Sequence, residues 1–333
     1  MTLTSPWARL ADLPLRSLTD GLINDTWAVG DPPVAVVQRL HRVFAPEVNL
    51  DIDAVTQHLE ARGMLTPRPL RTDAGELWHV DADGACWRAL SWVPGRTLHR
   101  LTDPAMAAEA GRLVGRWHAA TADLEHQFLF SRPGAHDTPL HMARLQGALD
   151  QHGGHRLHDD VAPLADRILA QWAAWSGRLD GPTRIGHGDL KISNLRFDDQ
   201  GRGLCLLDLD TVAALPLAVE LGDAWRSWCN PLGEDVADAA FSAPLFQASA
   251  HAYLSHNPVP RDERPELVAG IERICLELAA RFAADALQES YFGWNPAVAG
   301  TRGEHNLLRA RGQASLARSV ADQRDVLLSA LSA

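Results

Sequence analysis

Three oxygen-bearing side chains stand in the order that phosphoryl transfer to a hydroxyl requires. The segment I-G-H-G-D-L-K-I-S-N-L-R-F at residues 185–197 is followed by L-L-D-L-D at 206–210. Moving a phosphoryl group onto a hydroxyl takes a carboxylate beside the attacking oxygen, and oxygen ligands that hold a magnesium ion against the nucleotide phosphates. Asp189 is placed to supply the first, and Asn194 and Asp208 the second. A loop followed by a tight hairpin brings the chain back so that the residue opening the next loop faces the first one. Asp210 is a candidate either for supporting the metal's ligands from behind or for holding a second metal. A lone acidic residue in a loop is ordinarily turn or cap chemistry; the ordered set is what carries the signal. His187 reads as a residue that braces the loop, outside the proton transfer.

These groups need two kinds of scaffold. Short apolar stretches at residues 26–29, 34–40, 77–80 and 86–93, punctuated by D-P-P, D-A-G and D-A-D-G, predict a small antiparallel sheet. Ile52, Val55 and Leu59 recur at helical spacing within it, and Gly63 is placed to end that helix. After Pro94-Gly95 the pattern becomes long and amphipathic. Asp103 as N-cap and Pro104 at the first helical position introduce a helix with Met106, Ala110, Leu113, Val114 and Trp117 on its buried stripe. Further stripes run through Leu164, Ile168, Leu169 and Trp172, and through Leu267, Ile271, Ile274, Leu278 and Phe282. The strand-like island that carries Asp189 and Asp208 interrupts this helical part. Two domains are expected, 1–93 and 94–333, with residues 131–160 as the mobile excursion. The histidines His152, His155 and His158 have metal-like spacing but lie in a Gly-rich stretch that reads as a solvated loop.

The chain has 333 residues, more than one core usually serves, and 46% hydrophobic content, enough to bury substantial cores. Its formal net charge of −11 argues against nucleic acid or an anionic membrane as partner. The four cysteines form no C-x-x-C pair and suit a reducing compartment. No signal-peptide pattern and no membrane-length apolar run stands in the sequence, so a cytoplasmic location is expected.

H-G-D-x-x-x-x-N followed by L-D-x-D resembles the aminoglycoside phosphotransferase and choline kinase superfamily over essentially the whole chain. The stretches G-L-I-N-D-T-W, V-V-Q-R-L, D-L-K-I-S-N, L-D-L-D-T-V and H-N-L-L-R-A-R-G-Q look most like N-acetylhexosamine 1-kinases. The resemblance implies an α+β, bilobal, protein-kinase-like fold: a small antiparallel-sheet lobe and a larger, mostly helical one. It implies ATP as donor, Mg2+ as cofactor, Asp189 as catalytic base or orienting carboxylate, and Asn194 and Asp208 as metal ligands. Gly21, Asn24 and Thr26 would fold over the phosphates. Where related kinases carry a phosphate-binding Lys this chain reads V-A-V-V-Q-R-L, so Arg39, or else Gln38, must take that place. Ser91, Trp92 and Val93 would meet the adenine through main-chain groups.

For the acceptor, Asp223 and Arg226 follow the metal loop, and the C-terminal stretch offers Tyr291, Trp294, Asn295, Arg302, His305, Asn306 and Arg309. An aromatic platform with Asp, Asn and Arg suits a sugar, so the expected acceptor is the anomeric hydroxyl of an N-acetylhexosamine or related hexose. Two alternatives stay open: a kinase for an aminoglycoside, choline-like or other small acceptor, and a catalytically silent nucleotide-binding module.

Overall fold

The structure, a computed structural model, describes residues 6–18, 23–130 and 134–332. Its first part is an antiparallel sheet of β1 (Leu15–Leu18), β2 (Asp25–Gly30), β3 (Pro33–Arg39), β4 (His79–Val80) and β5 (Cys86–Ser91), in the order β1-β2-β3-β5-β4. Helix α1 (Val48–Ala61) interrupts it between β3 and β4. Alternation along the strands gives the sheet two faces. Val29, Ala35, Val37, Trp87 and Ala89 form an outer cluster with Trp7 and Leu10. Thr26, Gln38 and Arg88 fall on the inner face, with Gln38 directly opposite both Thr26 and Arg88 in register.

The chain then enters β6 (Arg96–Thr97), α2 (Pro104–Thr121), α3 (Thr138–Gln151), α4 (His158–Ala174), β7 (Thr183–Gly186), β8 (Leu195–Phe197), β9 (Gly203–Leu206) and β10 (Ala213–Pro216). Helices α5 (Leu217–Trp228), α6 (Ala243–His256), α7 (Arg264–Gln288), α8 (Arg302–Asp322) and α9 (Arg324–Ser332) complete it. Asp103 caps α2 by accepting from Ala105 N–H at 2.9 Å. The anticipated stripes of α2, α4 and α7 face one large core, with Met106, Leu169 and Trp172 partly buried at its edge and the rest inside it. Gly111 of α2 is needed where that helix crosses α6, since a Cβ there would lie 2.0 Å from the Ser249 carbonyl oxygen.

Of the stretch 131–160, expected as a mobile excursion, the described residues from 134 on include helix α3 and the start of α4. Asp137 accepts from Leu140 N–H at 3.0 Å, and Met142, Leu145 and Ala148 are buried beneath α3. Interspersed His, Gly and Gln hid that period. His155 is hydrogen-bonded to Glu289 at 3.2 Å, and among the described residues no three metal-ligating side chains cluster. None of the described helices is long and apolar enough to cross a membrane.

Two short pairings frame the chemistry. β6 pairs with β8, which pairs with β9, so the chain leaving the small sheet is stitched to the hairpin beyond Asp189. β7 pairs with β10, Gly186 opposite Ala213, and closes the other end.

Candidate active site

The loop between β7 and β8 is fixed on every side. Glu220 of α5, buried, accepts from the His187 and Gly188 N–H groups at 2.7 and 2.9 Å and pairs with His118 at 3.2 Å. Burial opposes its ionisation, yet His118 and these donors hold its pKa below the ordinary glutamate value. Trp228 Nε1 donates to Leu190 O at 2.8 Å, and Ile192 N–H donates to Ser227 Oγ at 3.0 Å. His187 Nε2 bonds Leu207 O at 2.7 Å and Nδ1 bonds Asp189 N–H at 3.3 Å, so both ring nitrogens brace the loop. Gly188 has φ +77°, and a Cβ on it would lie 2.5 Å from the Thr211 carbonyl.

Asp189 is thereby held with its carboxylate against two donors. Lys191 Nζ lies 2.7 Å from Oδ2, and Asn194 Nδ2 lies 3.0 Å from Oδ2 and 2.8 Å from the Asp189 carbonyl. Burial alone would push the Asp189 pKa up; Lys191 first, then His187 and Arg226, pull it down to about 2. The group is a carboxylate at neutral pH and orients a hydroxyl better than it takes a proton early. Lys191 sits above its usual range, since Asp189 and then Asp208 outweigh the burial that would lower it.

The metal loop follows the β8–β9 hairpin. Leu207 N–H donates to Asn194 O at 2.8 Å, which sets Asp208 beside Asn194. Asp208 has φ 59° and ψ 60°, a left-handed conformation that a non-glycine residue keeps at some cost. Asp208 is exposed to solvent, while the protein packed around it and then the Asp210 carboxylate raise its pKa above the ordinary aspartate value. With its Nδ2 turned to Asp189, Asn194 presents Oδ1 the other way. Amide and carboxylate oxygens suit Mg2+ and not a soft metal, and Mg2+ characteristically completes its shell with phosphate oxygens and water.

On the small-lobe side, Gly21 lies outside the described residues. Thr26 Oγ1 donates to Asn24 O and accepts from Gln38 Nε2, both at 3.2 Å. Arg39 is corrected as the phosphate cation. It lies opposite Trp87 on the outer face, exposed, whereas Gln38 faces inward. A one-residue step reverses the face of a strand, and V-A-V-V-Q-R-L does not announce which face is which. The inner face carries Arg88 instead, 1% exposed and paired with Asp210 at 2.5 Å; an arginine inside the apolar run C-W-R-A-L-S was the available signal. Asp210 is therefore taken up by an ion pair and is not open to a second metal. At the hinge, Ser91 N–H donates to Arg68 O at 2.8 Å, Ser91 Oγ accepts from Arg68 N–H at 2.9 Å, and Val93 O accepts from Arg196 Nε at 3.1 Å. Those groups of Ser91 and Val93 are engaged within the protein.

On the acceptor side, Arg226 holds Asp223 Oδ1 at 2.9–3.0 Å and Glu234 at 2.9 Å. Asp223 Oδ2 is buried with no hydrogen-bond partner among the described residues. Arg226 contributes to lowering the Asp189 pKa, and Asp223 to raising that of Lys191, so the structure brings these two pairs together. His136 is bonded to Glu277 at 3.2 Å; burial lowers its pKa, but Glu277 and then the charge of Asp223 lift it above the usual value.

The C-terminal candidates stand differently. Asn306 is fully buried and donates to Asp285 Oδ2 at 2.8 Å, and Asp285 also accepts from the Ser290, Tyr291 and Phe292 N–H groups. Arg309 bonds Asp235 at 2.7 Å and Gly293 O at 3.0 Å, with its guanidinium over the Phe282 ring. Both are engaged within the protein and brace the 289–301 loop, Asn306 through the buried Asp285 and Arg309 through the exposed Asp235 and the Gly293 carbonyl. Trp294 remains 41% exposed and donates to Ala299 O at 2.9 Å. Lys191 and Glu220 had escaped the sequence reading; Lys191 was visible two residues after Asp189, whereas Glu220 gains its role only from the approach of α5.

The sequence profile of the phosphotransferase enzyme family matches residues 14–255. A homoserine kinase of Methylobacterium nodulans is 28% identical over 280 residues, 81% of this chain and 78% of that protein. A microcompartment-associated aminopropanol kinase has a similar fold, with TM-score 0.64, 14% identity and 98% of each chain covered. An amicoumacin kinase solved with AMP-PNP, Ca2+ and Ami has TM-score 0.61 at 13% identity, covering 90% of this chain and 87% of that one.

Proposed function

We infer that this chain, which belongs to the phosphotransferase enzyme family and is a small-molecule kinase, transfers the terminal phosphoryl group of ATP to a hydroxyl of a hexose, an N-acetylhexosamine or a close relative. The observation that carries the kinase chemistry is the Asp189 carboxylate held by Lys191 and Asn194, with Asp208 turned toward the same recess by its left-handed backbone.

In this reading the nucleotide lies between the lobes 1–93 and 94–333. Asp189 accepts a hydrogen bond from the acceptor hydroxyl and aims its oxygen at the γ-phosphorus. Lys191 balances the charge on Asp189 and stands ready for the transferring phosphoryl oxygens. Asn194 Oδ1 and the Asp208 carboxylate would hold a Mg2+ ion, whose chemistry when bound would be to offset charge on the phosphate oxygens. Glu220, through His187 and Gly188, keeps Asp189 from drifting.

The sugar assignment is supported by the stretch H-N-L-L-R-A-R-G-Q and its companions, and by alternating acid and base around Asp189: Asp223, Arg226, Glu234 and, near Asp223, His136 with Glu277. A neutral polyol satisfies such a set without leaving a net charge buried. One observation favours a second reading, a zwitterionic amino alcohol: Asp223 Oδ2 is a buried carboxylate oxygen lacking a donor, which an ammonium would fill, and the curated relative is named for homoserine. Four cysteines free of disulfides support a reducing, cytoplasmic setting.

Coupled ADP release with ATP and Mg2+, run over a panel of N-acetylhexosamines, hexoses, homoserine and aminopropanol, tests the assignment. Saturable, acceptor-dependent turnover with an N-acetylhexosamine or hexose is expected. Turnover restricted to the amino alcohols selects the second reading, and none with any acceptor removes both.

A further inference from the structure

Arg88 of β5 and Asp210 of the metal loop are each 1% exposed, and the loop chemistry makes no direct use of either. Arg88 Nη1 stands 2.5 Å from Asp210 Oδ1, and Arg88 Nε donates to Gln38 Oε1 at 2.9 Å. Asp210 Oδ2 accepts from Asn24 Nδ2 at 2.7 Å, and Asn24 Oδ1 accepts from His41 N–H at 2.9 Å. Asp210 thus meets the small lobe through both oxygens, Oδ2 by a hydrogen bond and Oδ1 by ion-pair proximity to Arg88 without an aligned hydrogen bond. On the other side the chain runs directly into the metal loop: Asp208 is two residues earlier, and the next residue, Thr211, donates its hydroxyl to His187 O at 2.8 Å. Replacing a buried ion pair by apolar side chains is often neutral or stabilising, so fold stability alone gives little reason to keep this one.

We propose that Arg88 and Asp210 are a positioning pair that clamps the metal loop to the small sheet and holds Asp208 in the left-handed conformation that presents its carboxylate. The small lobe thereby sets the geometry of a loop that belongs to the helical lobe, and it does so with a cation on β5, opposite the neutral Gln38 of β3. The inference rests on Asp208 serving as a metal ligand.

The test compares Arg88→Met, Asp210→Asn, the double variant and, in parallel, Asp208→Ala. For each, the melting temperature, the Mg2+ dependence of AMP-PNP binding by calorimetry, and kcat are measured. Each single variant at the pair leaves a buried polar or charged group unmatched and should melt below the wild type, and the double variant should regain most of that loss. Positioning requires that the folded double variant still needs about tenfold more Mg2+ for half-maximal AMP-PNP binding, within the coupling expected of contacting residues, with kcat lowered and acceptor KM unchanged. A double variant that recovers both melting temperature and wild-type Mg2+ dependence overturns the proposal. Should the double variant not fold, Arg88→Met is read alone, below its melting temperature: a raised Mg2+ requirement supports the clamp, and an unchanged one overturns it. Unaltered Mg2+ dependence in Asp208→Ala would instead remove the metal-ligand reading on which the clamp depends, so the two failures are told apart.

Discussion

Lys191 Nζ lies 2.7 Å from Asp189 Oδ2, reaching back past Leu190, whose carbonyl is itself fixed by the Trp228 indole. The pairing keeps a carboxylate ionised in a place where burial alone would favour its protonation. In the proposed mechanism it also sets a cation next to the position of the attacking hydroxyl.

Asp189→Asn should therefore fold and bind nucleotide while losing turnover by orders of magnitude, because the amide keeps the shape and loses the acceptor that orients the hydroxyl. Lys191→Met should lower kcat and raise the acid limb of the pH–rate profile, since the Asp189 pKa rises from about 2 toward its ordinary value of 3.8. The stability sign follows from the same depression. The pair stabilises the fold above pH 3.8 and loses that contribution as pH falls toward about 2. Chemical denaturation of wild type and Lys191→Met at neutral and at strongly acid pH should show a difference in the first and little in the second.

At Asp208 the backbone and the side chain can be separated. Asp208→Ala and Asp208→Gly both remove the carboxylate, and both should weaken Mg2+-dependent nucleotide binding. Only glycine relieves the left-handed conformation, so Asp208→Gly should be more stable than Asp208→Ala by about 1 kcal/mol. Equal melting temperatures would show that the loop relaxes out of φ 59° once the side chain is gone.

Glu220→Gln tests whether the loop is positioned from α5. Whichever oxygen the NH2 replaces, it faces either the Gly188 N–H or the His187 N–H together with His118, leaving a buried donor unmatched. A stability loss of about 1–3 kcal/mol is expected, together with a fall in kcat larger than any change in the KM for ATP. Unchanged kcat in a folded variant would mean that Asp189 needs no support from Glu220.

The acceptor side is divided by two sets of variants. Asn306→Ala removes a buried donor from Asp285 and should lower stability by about 1–3 kcal/mol. Arg309→Ala should destabilise as well, by freeing Asp235 and the Gly293 carbonyl. Neither should move the KM for acceptor or ATP more than about twofold, a shift worth well under 1 kcal/mol. Asp223→Asn should raise the acceptor KM and spare that for ATP. Kinetics measured beside thermal melts check both halves, and a raised acceptor KM in Asn306→Ala at unchanged stability would restore the C-terminal pocket.

Much of this was determined by local sequence. Asp189, Asn194 and Asp208 were legible because their order along one loop and one hairpin is a short-range property, and the helices α2, α4 and α7 because their apolar period is local. What the tertiary structure alone decided concerns partners far apart in the chain. Arg39 and Gln38 are neighbours, yet only the packing of Trp7 and Leu10 on one face of the sheet determines which of them looks into the cleft. Asn306 and Arg309 offered the donors a sugar would want, but Asp285 and Asp235 had already taken them. Arg88 meets Asp210 across 122 residues, and Glu220 meets His187 from the next helix. A carboxylate reads the same in sequence whether it faces substrate, metal or a buried arginine. Only the fold determines which donor it meets, because burial demands that each such group find a partner and leaves that choice to whatever packs against it.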